Sequence, residues 1–231
     1  WVLSALLWLL WLGTLTLPAG DGEARHREQG GPSVWSVLRR PAVSLFLVAA
    51  FLMQLSHGPY YTFYSIYLEQ HGYSRTLIGQ LWALGVVAEL MVFLVMHRWL
   101  PRFGIRKVLL GSLLLAAFRW LLIALYADQV IMLIAAQSLH AASYGAFHAA
   151  SIAWVHQHFT GRNQGRGQAL YSSMSFGAGG AVGSLLSGYL WLTPGPEMTF
   201  MLAAVTAIGA FLIGFIWLKN SNSAMEKQPH Y

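Results

Sequence analysis

The chain lacks cysteine altogether and carries little charge. Without cysteine in 231 residues, a disulfide scaffold, an iron–sulfur protein and a thiolate zinc site are excluded. Charged residues make up 10% of the sequence, well below the ~25% usual in a soluble domain. Neither His-Glu-x-x-His nor a run of histidine clusters occurs, which leaves no metal-dependent protease or di-iron oxidase pattern. Gly-x-x-x-x-Gly-Lys-Ser/Thr is also missing, and with it any sign of an ATP-driven pump. No metal and no cofactor are expected.

What is present is apolar sequence, 56% of the residues, gathered in blocks near the ~20 residues a helix needs to cross a bilayer. Seven such segments span residues 1–17, 42–68, 77–96, 108–126, 131–155, 169–192 and 198–218. They predict an all-α polytopic membrane protein. Residues 1–17 form one isolated span, 18–41 a polar linker rich in Gly, Glu, Arg and Gln, 42–218 a six-helix block and 219–231 a tail. This layout reads as the back part of a larger protein, cut inside its first half.

The basic residues give the orientation. Arg25, Arg27, Arg39, Arg40, Arg98, Arg102, Arg106, Lys107, Arg162, Arg166, Lys219 and Lys227 fall on one set of connectors, and Arg75 alone on the other. The positive-inside rule makes the first set cytoplasmic, including the C-terminus. The net charge of +6 is thereby a topology signal directed at the lipid bilayer, and no nucleic-acid partner is expected.

Ionisable groups inside spans are costly and mark function. Glu89 and Arg119 lie in consecutive spans, where a carboxyl could exchange between a proton and an arginine partner. A substrate carboxylate could also compete for the Arg119 guanidinium, which matches it in two-point geometry. His140, Tyr144 and His148 follow at i, i+4 and i+8, one face of a helix among small residues. Glu89, Arg119, His140 and His148 are the expected proton-coupling group. The segment 42–68 is interrupted at Gln54-Leu-Ser-His57-Gly58-Pro59, and a proline there bends the helix. Broken helices point to transporter binding sites, so Gln54, His57, Tyr61, Tyr64, Arg119 and Tyr144 are the expected substrate contacts.

Several stretches carry a family resemblance. The turn His97-Arg-Trp-Leu-Pro-Arg-Phe-Gly-Ile-Arg-Lys107 resembles the loop between the second and third helices of each half of major facilitator transporters. It keeps Arg102, Gly104, Arg106 and Lys107, while His97 and Pro101 replace the pattern's Gly and Asp. Gly79–Glu89, Phe118-Arg-Trp120 and His140–His148, with His57-Gly-Pro-Tyr-Tyr61 and Tyr67, resemble the phenylpropionate permease branch of that superfamily. The resemblance implies helices six to twelve of a twelve-helix proton symporter of the inner membrane, working with a missing N-terminal half on a small organic substrate such as an aromatic acid. Sugar and nucleoside symporters of the superfamily are alternatives. The sugar type places Glu, Arg and His on the same three consecutive helices, with an acid one turn after the His where this chain has Ser143. Outside transporters, a seven-helix receptor and an intramembrane enzyme are the competing classes. A receptor is opposed by the long first cytoplasmic loop.

The orientation is directly testable, because the native chain offers no competing thiol. Single cysteines at Arg102 and Arg166 should react with an impermeant maleimide only when the cytoplasmic face is opened, and one at Asp128 only from outside. Labelling of the first two from outside would reverse the topology.

Overall fold

A computed structural model describes Trp8 and residues 34–225, with side chains at Trp8 and over 35–216 except Arg162. The chain divides into two compact units, Trp1–Gly31 and Pro32–Tyr231. The expected first span and most of the linker fall in the former and lie outside the described residues. So does the end of the tail. Apart from Trp8, every described residue belongs to the second unit.

Among the described residues the structure is helical, with no strand. A short helix α1 (Val34–Leu38) precedes α2 (Pro41–Ser56), which starts on a proline suited to a first helical position. His57 ends α2, and Gly58-Pro59 opens α3 (Gly58–Gln70). Pro59 has no N–H to offer the Leu55 carbonyl, so the rod breaks where the sequence predicts. After a turn capped by the Ser74 hydroxyl, which accepts from the Leu77 N–H at 3.3 Å, α4 runs Arg75–Phe103. Gly104, at φ 80°, turns the chain in one residue into α5 (Ile105–Leu125).

The next rod is α6 (Val130–His140), a widened π turn over Ala141–Gly145, and α7 (Ala146–His158). The rod after it is α8 (Gln164–Ser172), a second π stretch over Ser173–Gly179, and α9 (Gly180–Leu192). The last helix, α10 (Pro196–Met225), continues past residue 218. Among the described residues, five rods are long and apolar enough to cross a membrane: Pro41–Gln70, Arg75–Phe103, Ile105–Leu125, Val130–His158 and Pro196–Ile216. The rod over 164–192 is not among them, because its glycines and serines dilute the hydropathy of a helix that is otherwise long enough.

The α10 helix packs against α5 and α2, and α2 in turn lies on the Ser173–Gly179 turn. The α3 helix packs on α9, and α4 on α6 and its π turn. Glycines allow the closest approach. A Cβ at Gly58 would collide with the Gly183 backbone, and one at Gly183 would sit 2.6 Å from the Leu55 carbonyl oxygen. The backbone of α9 thus seats directly on the break, against the Leu55 carbonyl that has lost Pro59 as a donor and accepts instead at the helix cap. The α4 helix is the outlier, with 17% of its apolar window buried against 56% for Pro41–Gln70. Val86, Leu90 and Leu94 on it are exposed.

Gly58→Ala should therefore destabilise the fold strongly, by about 1–3 kcal/mol or more, as overpacking against rigid backbone does. Gly188→Ala, with no atom within 4 Å of the new Cβ, should leave thermal unfolding in detergent unchanged. Equal stability of the two variants would show that the α3–α9 contact is loose.

Candidate functional site

The α5 helix carries Arg119 into the protein interior, where the residue is fully buried. Several partners hold it. Its Nε–H donates to the Ala136 carbonyl at 3.0 Å and its Nη2 to Gln137 Oε1 at 3.3 Å. The Tyr60 and Trp120 rings lie 4.1 and 4.3 Å from the guanidinium carbon, close enough for desolvated cation–π contact worth about 2 kcal/mol. The Tyr60 hydroxyl donates to the same Gln137 oxygen at 3.1 Å. Two groups have no partner among the described residues: Arg119 Nη1 and Gln137 Nε2, both buried.

The helix break places His57 beside this cation. Its Nδ1 donates to the Met53 carbonyl at 2.9 Å, and its ring stands edge-on to Trp120 at 4.7 Å. Trp120 is fixed by its indole N–H, which donates to Ser56 Oγ at 3.3 Å. Tyr144 lies 5.0 Å and His140 6.1 Å from the His57 ring, between ring centres. His57 Nε2 and His140 Nδ1 are also buried without a partner.

The π turn sets the face presented by α6 and α7. His140 and Tyr144 stack at 5.1 Å with an interplanar angle of 11°. His140 Nε2 lies 4.0 Å from Glu89 Oε2. Gly145 makes room for that carboxylate, since a Cβ there would meet Glu89 Cγ at 3.0 Å. Trp82 of α4 closes over Tyr60 at 4.6 Å and donates to Ser65 Oγ at 3.1 Å. The rim is aromatic and open, with Tyr61 44% and Phe176 38% exposed.

The structure thus brings Arg119, His57, His140, Tyr144, Tyr61 and Glu89 into one cluster. It does not pair Glu89 with Arg119 as the sequence suggested: the contact of Glu89 is with His140, and the guanidinium is engaged elsewhere. His148 stands apart, hydrogen-bonded to the Tyr171 hydroxyl at 3.1 Å, with Phe176 between it and Tyr144. Gln54 packs against the glycines at 179 and 180. Tyr64 is fully buried at 4.9 Å from Tyr60, with its hydroxyl unpaired.

Sequence reasoning missed Tyr60, Gln137, Trp120 and Trp82 as members of the site. Gln137 left a usable signal, a polar side chain in an apolar span one turn before His140. Among the described residues, no three His, Cys, Asp or Glu side chains cluster as metal ligands.

The geometry is that of a buried polar cluster between apolar helices, and comparison with known proteins gives its class. The family model "MFS_1 like family" matches residues 2–202. The chain belongs to that family, one of membrane transporters and not of enzymes, and is a multi-pass membrane protein. It is 32% identical over 196 residues to the probable 3-phenylpropionic acid transporter of Escherichia coli K12, covering 84% of this chain and 51% of that protein. It is 23% identical to the uncharacterized transporter YwbF of Bacillus subtilis, covering 64% of this chain and 37% of that protein. The fold matches a crystal structure of the nucleoside transporter NupG (D323A mutant) with TM-score 0.70 at 16% identity, covering 93% of this chain and 58% of that one. The chain spans about half the length of the curated relatives it matches, or less.

Gln137 is the hinge of the buried network, and its substitution should register in stability. Gln137→Leu leaves Arg119 Nη2 and the Tyr60 hydroxyl unsatisfied, at about 1–3 kcal/mol for each stranded group. Gln137→Glu keeps the acceptor beside the cation and should unfold near the wild-type temperature. A Gln137→Leu protein as stable as wild type would mean that the network contributes nothing.

Proposed function

We propose that the chain is the C-terminal half of a proton-coupled secondary transporter for a small organic acid, with aromatic acids the favoured class. It lies in the inner membrane with its C-terminus in the cytoplasm, and its partners are protons, the substrate and an N-terminal half. One observation carries the substrate reading. Arg119 is a buried cation whose carbonyl, amide and ring contacts leave Nη1 without a partner among the described residues, as Gln137 leaves Nε2. A substrate carboxylate would accept from both, in the bidentate manner of Arg–carboxylate pairs. The rings of Tyr60, Trp120, Tyr61 and Tyr144 would flank an aryl group, and the name of the Escherichia coli relative points to the same chemistry.

Proton coupling falls to Glu89 and His140, the half-buried carboxylate serving as the entry point and the imidazole as its neighbour. Histidine exchanges protons near neutral pH, and intramembrane carboxylates are the usual carriers in such relays. In this scheme His148, Gln54 and Tyr64 support the cavity walls. The sugar and nucleoside readings are kept as arms of the test.

Uptake by the complete protein, assayed with aromatic acids, sugars and nucleosides with and without a protonophore, decides between these classes. Arg119→Lys retains the charge and loses the planar fork, so uptake of the acid should fall at least about tenfold, by more than expression falls. Glu89→Gln should abolish accumulation against a gradient while leaving exchange across the membrane. A Glu89→Gln protein that still concentrates substrate would remove Glu89 from the mechanism.

A further inference from the structure

We infer that the site is built for a carboxylic acid that also bears a hydroxyl group, and that His57 reads this hydroxyl. The inference rests on the reading of Arg119 as the carboxylate anchor and extends it to specificity.

The unpaired buried atoms differ in what they can accept. Arg119 Nη1 and Gln137 Nε2 are donors only, on side chains already joined through Gln137 Oε1. Two donors on joined side chains call for acceptors, which a carboxylate supplies. His57 has the opposite requirement. Its Nδ1 faces the Met53 carbonyl at 2.9 Å, and a carbonyl can only accept, so Nδ1 holds the ring proton. The neutral imidazole then carries its lone pair at Nε2, where no donor of the described residues reaches it. Only a donor on the ligand satisfies that atom. His140 Nδ1 and the Tyr64 hydroxyl are also unpaired, but each can take either role and so does not discriminate.

The distances set the scale of the ligand. The Arg119 guanidinium carbon and the His57 ring centre lie 4.3 and 4.7 Å from the centre of the Trp120 ring. The guanidinium carbon and the imidazole centre are therefore at most about 9 Å apart, enough for the length of an aryl acid between the acceptor and donor ends of the ligand. His57 is fully buried and fixed by its Met53 bond, so its lone pair cannot turn to water when a ligand without a donor is bound. Sites of this kind discriminate strongly, because the analogue without the hydroxyl leaves a buried polar atom unpaired; the largest such ratios reach about 10⁴–10⁵.

The test uses the complete protein in detergent and titration calorimetry with three ligands: 3-phenylpropionate and its ring-hydroxylated and ring-methoxylated derivatives, substituted at the meta or para carbon. The methoxy group retains the oxygen and loses the donor. The hydroxylated acid should bind at least about tenfold more tightly than both others, and His57→Phe should erase the difference. A hydroxyl that gives no advantage over the unsubstituted ring, or a preference that survives in His57→Phe, overturns the inference and leaves the carboxylate reading standing. Binding of none of the three acids removes both. Should His57→Phe fail to fold, the comparison of the three ligands on the wild-type protein decides alone.

Discussion

The architecture of the second unit depends on one buried cation. A guanidinium taken out of water loses several kcal/mol of hydration, and the protein offsets this with contacts from three different helical rods. Ala136 and Gln137 come from α6, Tyr60 from α3 and Trp120 from the arginine's own helix. These partners fix the relative placement of the rods more sharply than apolar packing could, since hydrocarbon contacts in a bilayer have little preference between lipid and protein. Among the described residues, the compensation is incomplete by one Nη group.

The break at His57 is the second constraint, and it acts through backbone. Pro59 removes a hydrogen bond, Gly58 and Gly183 bring two helices into backbone contact, and the imidazole is left projecting from the end of α2 toward Trp120. A continuous helix would have spent the same residues on regular packing. The two π turns serve a related purpose, since each widened turn shifts the side chains beyond it. Ala141–Gly145 keeps His140 and Tyr144 stacked, and its closing glycine admits Glu89. His148, beyond that turn, goes to a different partner.

The α4 helix supplies Glu89 and Trp82 to this cluster while leaving much of its apolar surface exposed. The carboxylate therefore sits at the border between the buried polar group and an apolar face. Through His140, it is connected to the site by a single side chain.

The sequence by itself determined the all-α membrane class, the break at His57 and which spans carry Glu89, Arg119 and His140. Each of these is a local property: the length of an apolar run, a Gly-Pro step, a charge where hydrocarbon penalises it. The partners of those residues were decided only in three dimensions. Glu89 and Arg119 sit on neighbouring spans and suggest a pair, yet which face each presents depends on helix rotation, and the rotation turns the carboxylate to His140. Tyr60 and Gln137 matter only because two rods meet over one guanidinium, a long-range coincidence that no spacing rule records. His148 repeats at the right interval for the His140 face, but an α-helical count cannot anticipate a π turn. Helix periodicity was written in the chain. The pairing of its polar groups was set by how the rods pack around a charge that must find its partners inside.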